Sequence, residues 1–377
     1  MATSTTGQGV SPLRDNPPEA GGGVTRVLSR EWLSRLAALS WFPTVILWSI
    51  GIFAWGALLI RQLYAPYAWT FYDWHVYAAG SRDFLLRQLY TVPLQSAYPI
   101  PVPRYNMPPG SAIITLPFTV FPDGVGGALW VITNIVAIAA AAVLTARIVG
   151  LRPAWLWAGA GFCAYALTWS LPSVIGNNSP VLLLFIVGFV TAQLANRSVL
   201  AGGLLGLSIA AKLWPAVYLV VLARDRNWKT FAWAVGTAAV LLGLSLLWLG
   251  GPSVIRPMLR SLAIDVEPGP RQWVFGFTWL RMHVDWWPSW WPEWGGYAAA
   301  VLILLIPARG LTGYGLATFA GLVAIPNVWK HYLGTIVFGA ALLVRGLIDR
   351  RRTPDATRRD VASPQPGGVA QEAADRA

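Results

Sequence analysis

Ten apolar runs recur along the chain, near residues 43–64, 125–147, 154–172, 179–196, 199–211, 213–223, 230–249, 295–308, 311–325 and 331–346, separated by connections that carry arginine, proline or glycine. Few architectures accept this pattern. Backbone N–H and C=O groups find no water inside a bilayer, so such runs cross it as helices that close their own hydrogen bonds. The chain is therefore expected to be an all-α polytopic membrane protein. A soluble core accounts poorly for 55% hydrophobic and only 12% charged residues over 377 positions. Several runs fall short of the ~20 residues that cross a full hydrocarbon core, which implies tilted ends, a thinned membrane or half-helices shielded by neighbours.

A net charge of +12 would suggest nucleic acid in a soluble protein. In a polytopic chain the usual cause is arginine-rich cytoplasmic connections, so position matters more than total, and no nucleic-acid partner is expected. With the amino terminus inside, 18 basic and 9 acidic residues fall on the cytoplasmic side and 10 basic and 7 acidic on the other, a net +9 against +3. The positive-inside rule is thus obeyed, and a plasma-membrane protein with both termini cytoplasmic is expected. Residues 1–42 lack the short apolar core and cleavage site of a signal peptide and read as a disordered tail, as do 349–377. Residues 43–348 remain as the membrane domain. The single cysteine, Cys163, excludes an intrachain disulfide and a cysteine metal cluster. Among the 28 basic residues only Lys212, Lys229 and Lys330 are lysine, a bias that points to a GC-rich, bacterial genome.

Two divisions depend on proline. PPGSAIITLPFTVFP (108–122) is apolar enough to span, yet its prolines and length favour a re-entrant or surface-lying helix within a first outer loop, 65–124. Residues 199–223 could form one span, but Lys212 followed by Trp214-Pro215 splits the run into a tight hairpin with Lys212 at its outer tip.

This threading collects the rare ionisable groups on one side: His75, His283, His331, Asp73, Lys212, Arg271, Asp285 and Lys330, with Asn177 and Asn178. That layout suits an enzyme acting on lipid-borne polar groups, the bundle holding the tail and the mouth the head. Polar loops alone would give the same layout. In FYDWHVYAAG (71–80), Asp73 sits among Phe71, Tyr72, Trp74 and Tyr77. A partly desolvated carboxylate there could take a proton from an attacking hydroxyl, or it could merely cap a helix starting at Trp74. Lys330 and His331 could neutralise a phosphate, or could sit at the interface beside Trp329 and Tyr332. Asn177 and Asn178 suit sugar hydroxyls, or cap the span that follows. The loop 250–295 carries Trp273, Trp279, Trp286, Trp287, Trp290, Trp291 and Trp294, which read first as an interfacial belt and second as a sugar-stacking surface. His283 and Asp285 are two ligands at most, and no metal site is expected from them.

DWHVYAAGSRDFLLRQLY (73–90), YNMPPGSAIITLPFTVFP (105–122) and LWVITN (129–134) resemble the first outer loop of the polyprenol-phosphate-mannose-dependent mannosyltransferases, glycosyltransferase family 87 of the GT-C superfamily. GNNSPVLLLF (176–185), AGGLLGLSIAAKLWPAVYLVVLARDRNW (201–228) and PNVWKHY (326–332) extend the resemblance over about residues 70–345. The order and spacing of these segments carry it. It implies a GT-C-like bundle of about ten transmembrane helices with outer-face juxtamembrane helices. The implied activity is an inverting transfer of mannose from a polyprenyl-phosphate donor to a lipid-linked glycan on the extracytoplasmic face, forming an α linkage, without a metal or other cofactor. Asp73 would be the base. Lys212 and His331, with Lys330, would meet the donor phosphate, and Tyr77, Asn106, Asn177, Asn178 and Trp329 the sugar or acceptor. The chain departs from the family pattern at Asn177, where glutamine is usual, and at Ile325-Pro326. An arabinofuranosyl donor, a glycolipid transporter and a non-catalytic envelope scaffold are the alternatives.

Overall fold

A computed structural model of the chain describes residues 41–64, 72–94, 105–168, 176–262, 274–275, 286, 295–325, 328–329 and 332–352. Each of the ten apolar runs is mainly helical where it is described. Around them lie α1 (Trp41–Tyr64), α2 (Tyr72–Leu85), α3 (Pro109–Thr115), α4 (Asp123–Ile148), α5 (Ala154–Thr168), α6 (Ser179–Leu194) and α7 (Ser198–Ala211). The chain continues through α8 (Val217–Arg224), α9 (Trp228–Leu249), α10 (Ile255–Leu262), α11 (Gly296–Leu305), α12 (Gly310–Ala324) and α13 (Leu333–Arg352). Among the described residues, helices α4 and α9 are long and apolar enough to cross a membrane, and the other apolar stretches, such as Trp41–Ala57 of α1, are shorter.

Packing follows chain order, with α1 on α5, α4 on α5 and α6, α6 on α7, α7 on α9, and α12 on both α11 and α13. One core gathers Ile186, Val187, Phe189, Leu205, Tyr218, Val221 and Leu342, while a second gathers Trp55, Trp74, Trp130 and Phe162. The outer faces are equally apolar: Phe53 is 78% exposed and Leu247 70%. A water-soluble protein does not leave such residues exposed on helix after helix, whereas a lipid-facing bundle does.

Two breaks in the helices position the site. Helix α3 has seven residues and ends in a 3-10 turn, Leu116–Phe118, so at about 1.5 Å per residue it is far too short to cross a bilayer. Helix α7 stops at Ala211 because the residue one turn on, Pro215, has no N–H to give the Ala211 carbonyl. Lys212 is extended, with φ −146° and ψ 134°, and the chain re-enters α8 through the 3-10 turn Trp214–Ala216. The orphaned Ala211 carbonyl accepts a hydrogen bond of 2.5 Å from Ser111 Oγ instead.

Four details add to this outline. Helix α1 is described from Trp41 onward. Helix α13 runs on to Arg352, where the Arg345–Asp349 pair at 2.9 Å extends it and basic residues favour a helix C-terminus. The loop after Gly250 is partly helical, with α10 inside it. Apart from the helices, Val274–Phe275 and Val328–Trp329 pair as a two-residue antiparallel ladder, which leaves the all-α class unchanged. Residues 1–40 and 353–377 lie outside the described residues.

Candidate active site

Helix α2 begins at Tyr72, which puts Asp73 in its first turn. The alternative that Asp73 caps a helix starting at Trp74 is thereby corrected. Its Oδ2 instead accepts a hydrogen bond of 2.9 Å from Asn177 Nδ2, 104 residues away. Local chemistry sets that contact. Gly176 adopts φ +119°, and a Cβ there would lie 2.9 Å from the Trp74 backbone nitrogen, so only glycine allows the 176–179 turn to press against the start of α2. Trp130 Nε1 fastens the turn from α4 by donating to the Gly176 carbonyl at 2.6 Å.

Asn177 Oδ1 accepts from Ser179 N at 2.8 Å and from Ser179 Oγ at 2.6 Å. With its oxygen occupied, its amide N–H is free to face Asp73. Ser179 Oγ in turn accepts from Lys212 Nζ at 3.2 Å. Lys212 also donates to Tyr332 Oη at 3.3 Å, its ammonium 5.1 Å from the Tyr332 ring centre. A continuous polar line thus runs Asp73–Asn177–Ser179–Lys212–Tyr332, assembled from α2, the turn before α6, the break after α7 and the start of α13.

A second line lies behind it. Tyr77 Oη donates to Asn178 Oδ1 at 3.0 Å, and Asn178 Nδ2 donates to Ser111 Oγ at 2.9 Å. Tyr77 is fully buried and Asn178 is 2% exposed, so both are committed to holding the site rather than offered at its mouth. Asn178 stands at the N-cap position of α6, but its side chain makes no capping hydrogen bond.

Removal from water pushes the Asp73 carboxyl up to about 6, against the opposing pull of the Asn177 hydrogen bond and the Lys212 charge. Burial, aided by the neighbouring Asp73 charge, holds the Tyr77 phenol well above its ordinary value, so it remains a donor. On another side of α2, His75 Nδ1 lies 3.4 Å from Asp123 Oδ2, and Arg82 contacts Asp123 Oδ1 at 2.7 Å. His75 therefore faces the start of α4 and not the Asp73 line.

Asn106 is half-buried just before α3. Lys330 and His331 lie outside the described residues, as do His283, Asp285 and Arg271, and Trp329 is described by its backbone pairing to Val274. Among the described residues no three His, Cys, Asp or Glu side chains group as metal ligands. Ser111, Ser179 and Tyr332 were not singled out from sequence. Their only signal was membership of the PPGSAI, GNNSPV and WKHY segments.

The sequence pattern of glycosyltransferase family 87 matches residues 105–359. The chain belongs to this family. It is 28% identical over 302 residues to a "polyprenol-phosphate-mannose-dependent alpha-(1-2)-phosphatidylinositol pentamannoside mannosyltransferase" of Mycolicibacterium smegmatis, covering 73% of this chain and 72% of that protein. A protein of the same description from Mycobacterium tuberculosis is 25% identical over 206 residues, covering 52% of this chain and 46% of its own length. As a family 87 member the protein is a membrane glycosyltransferase. Asp73 lies upstream of the matched segment, so its place in the site rests on the geometry that ties it to Asn177 and Lys212 within that segment.

Proposed function

We propose that the protein transfers a mannosyl residue from polyprenyl-phosphate-mannose to a lipid-linked glycan, with inversion to an α linkage, on the extracytoplasmic face of a bacterial plasma membrane. The observation that carries this reading is the hydrogen-bonded line joining a single carboxylate, Asp73, to a single ammonium, Lys212. The names of the two relatives supply the donor class. In this reading the bundle is GT-C-like with about ten spans, and the arginine distribution sets its orientation.

In the reaction the acceptor hydroxyl oxygen attacks C1 of the mannosyl group as the bond from C1 to the phosphate oxygen breaks. The hydroxyl proton passes to Asp73, and polyprenyl phosphate departs with the bonding electrons. The departing charge is met by Lys212, with Tyr332 Oη beside it, and by Lys330 and His331 from the same chain segment. A metal is not required for this neutralisation. Attack opposite the leaving phosphate produces the inversion. Asn177 holds Asp73 in place, and the acceptor's contacts fall to Asn106 and Trp329.

Membranes carrying the protein, incubated with labelled polyprenyl-phosphate-mannose, are expected to yield a labelled glycolipid with an α-mannosyl terminus. An unlabelled glycolipid pool contradicts the reading. Label from an arabinose donor alone would move it to arabinofuranosyl transfer. Movement of lipid between leaflets without product would make the protein a transporter.

A further inference from the structure

The connection between Lys212 and Asp73 does more than hold two groups near one another. Ser179 Oγ is at once an acceptor from Lys212 and a donor to Asn177. Turning the hydroxyl away breaks both contacts. Asn177 is similarly committed, its oxygen taking two hydrogen bonds while its nitrogen gives one to Asp73. Each donor is thus polarised by the one before it, and in a site withdrawn from water such chains strengthen cooperatively. Ser179 is 2% exposed and Asn177 4%, so neither is offered to substrate.

We propose that Asn177 and Ser179 are positioning residues forming a relay by which the donor phosphate's hold on Lys212 is felt at Asp73. The proposal rests on the mannosyl-transfer reading above. Before the donor arrives, Lys212 points its charge and its hydrogen bond down the relay, and Asn177 donates strongly to the carboxylate. A phosphate that engages Lys212 neutralises that charge and draws Nζ away from Ser179. Donation along the relay weakens, and Asp73 becomes a stronger base at the moment an acceptor hydroxyl needs one. Among the described residues the charged and titratable groups around Asp73 are few. Tyr77 lies on its own helix, Lys212 and Tyr332 across the turn, and Tyr105 behind Tyr77. His75 and Arg82 are taken up with Asp123 on another side of α2, and α3 contributes no titratable group.

The test is an infrared titration of the protonated Asp73 carboxyl in the full chain reconstituted in lipid, with Asp73→Asn as the blank, before and after adding polyprenyl phosphate. In the wild type the midpoint is expected to rise by about one unit. Ser179→Ala should lose more than half of that rise and Ser179→Thr should keep it. Lys212→Met should start high and not respond. A merely structural role for Ser179 would reduce folded yield and leave the rise intact. An equal rise in Ser179→Ala and wild type overturns the relay in favour of action through space. No rise in a wild type that forms mannosylated glycolipid overturns the relay alone. A wild type that neither binds polyprenyl phosphate nor transfers mannose takes down both the relay and the reading beneath it.

Discussion

The two ends of α8 use charge differently. At the end beside Trp214, the Lys212 ammonium donates to the side chains Ser179 Oγ and Tyr332 Oη, the first of them in a line that reaches Asp73. At the other end, Arg224 donates to main-chain carbonyls of Leu304, Ile306 and Ala308, and Asp225 accepts from the Gly310 amide. The second arrangement satisfies the groups left open where α11 ends and α12 begins, so its charges are structural. In the first, the charges answer to one another, and in the proposed reaction a substrate takes the place of one partner. A charged residue at a helix end is therefore informative through what it bonds, not through its presence.

Substitutions can break this comparison from either side. Asp73→Asn is expected to lower transfer by about a thousandfold or more at matched protein level, as loss of a catalytic base does. Lys212→Met should lower kcat/KM for the donor roughly a hundredfold, with a rise in donor KM that Asp73→Asn lacks. Arg224→Ala should leave kcat unchanged and cost about 1–3 kcal/mol in denaturation of the reconstituted protein, because it strands carbonyls. If Arg224→Ala alters donor KM with no loss of stability, the two ends are not distinct in kind.

A smaller effect follows from the strain at the site. Burial raises Asp73 above its ordinary 3.8 to about 6, so the folded protein binds this proton more tightly than the unfolded chain. The stability this contributes is complete below 3.8 and lost as pH rises through about 6. Near neutral pH, Asp73→Asn should therefore melt roughly 2–4 °C above wild type, and the gap should close in acid. Asp349→Ala should do least, under about 0.5 kcal/mol, since its contact with Arg345 is a partly exposed i,i+4 pair and Arg345 keeps its hydrogen bond to the Val149 carbonyl.

Much of this molecule was legible before its coordinates. Apolar runs located the bundle helices, because a span must be apolar along its whole length, and the prolines after Lys212 and around 108–122 located the breaks. Asp73 stood out as an acid among aromatics. Ser179 and Tyr332 were hidden because they meet Lys212 across 33 and 120 residues of chain, a distance no local pattern encodes. Asn177 and Asn178 looked equivalent in sequence, yet one turns to Asp73 and the other to Ser111 and Tyr77, since consecutive side chains in a turn point apart. The ladder between Val274 and Trp329 escaped for a further reason: two residues are too few to show a strand period.

The pH dependence of kcat/KM for mannosyl transfer by wild-type membranes tests the central claim, that Asp73 is a buried base, most directly. Protonation removes the base, so the rate should fall about tenfold per unit on the acid side, with half of it lost near pH 6. A profile that stays flat from about pH 8 down to about pH 4.5 would contradict the account.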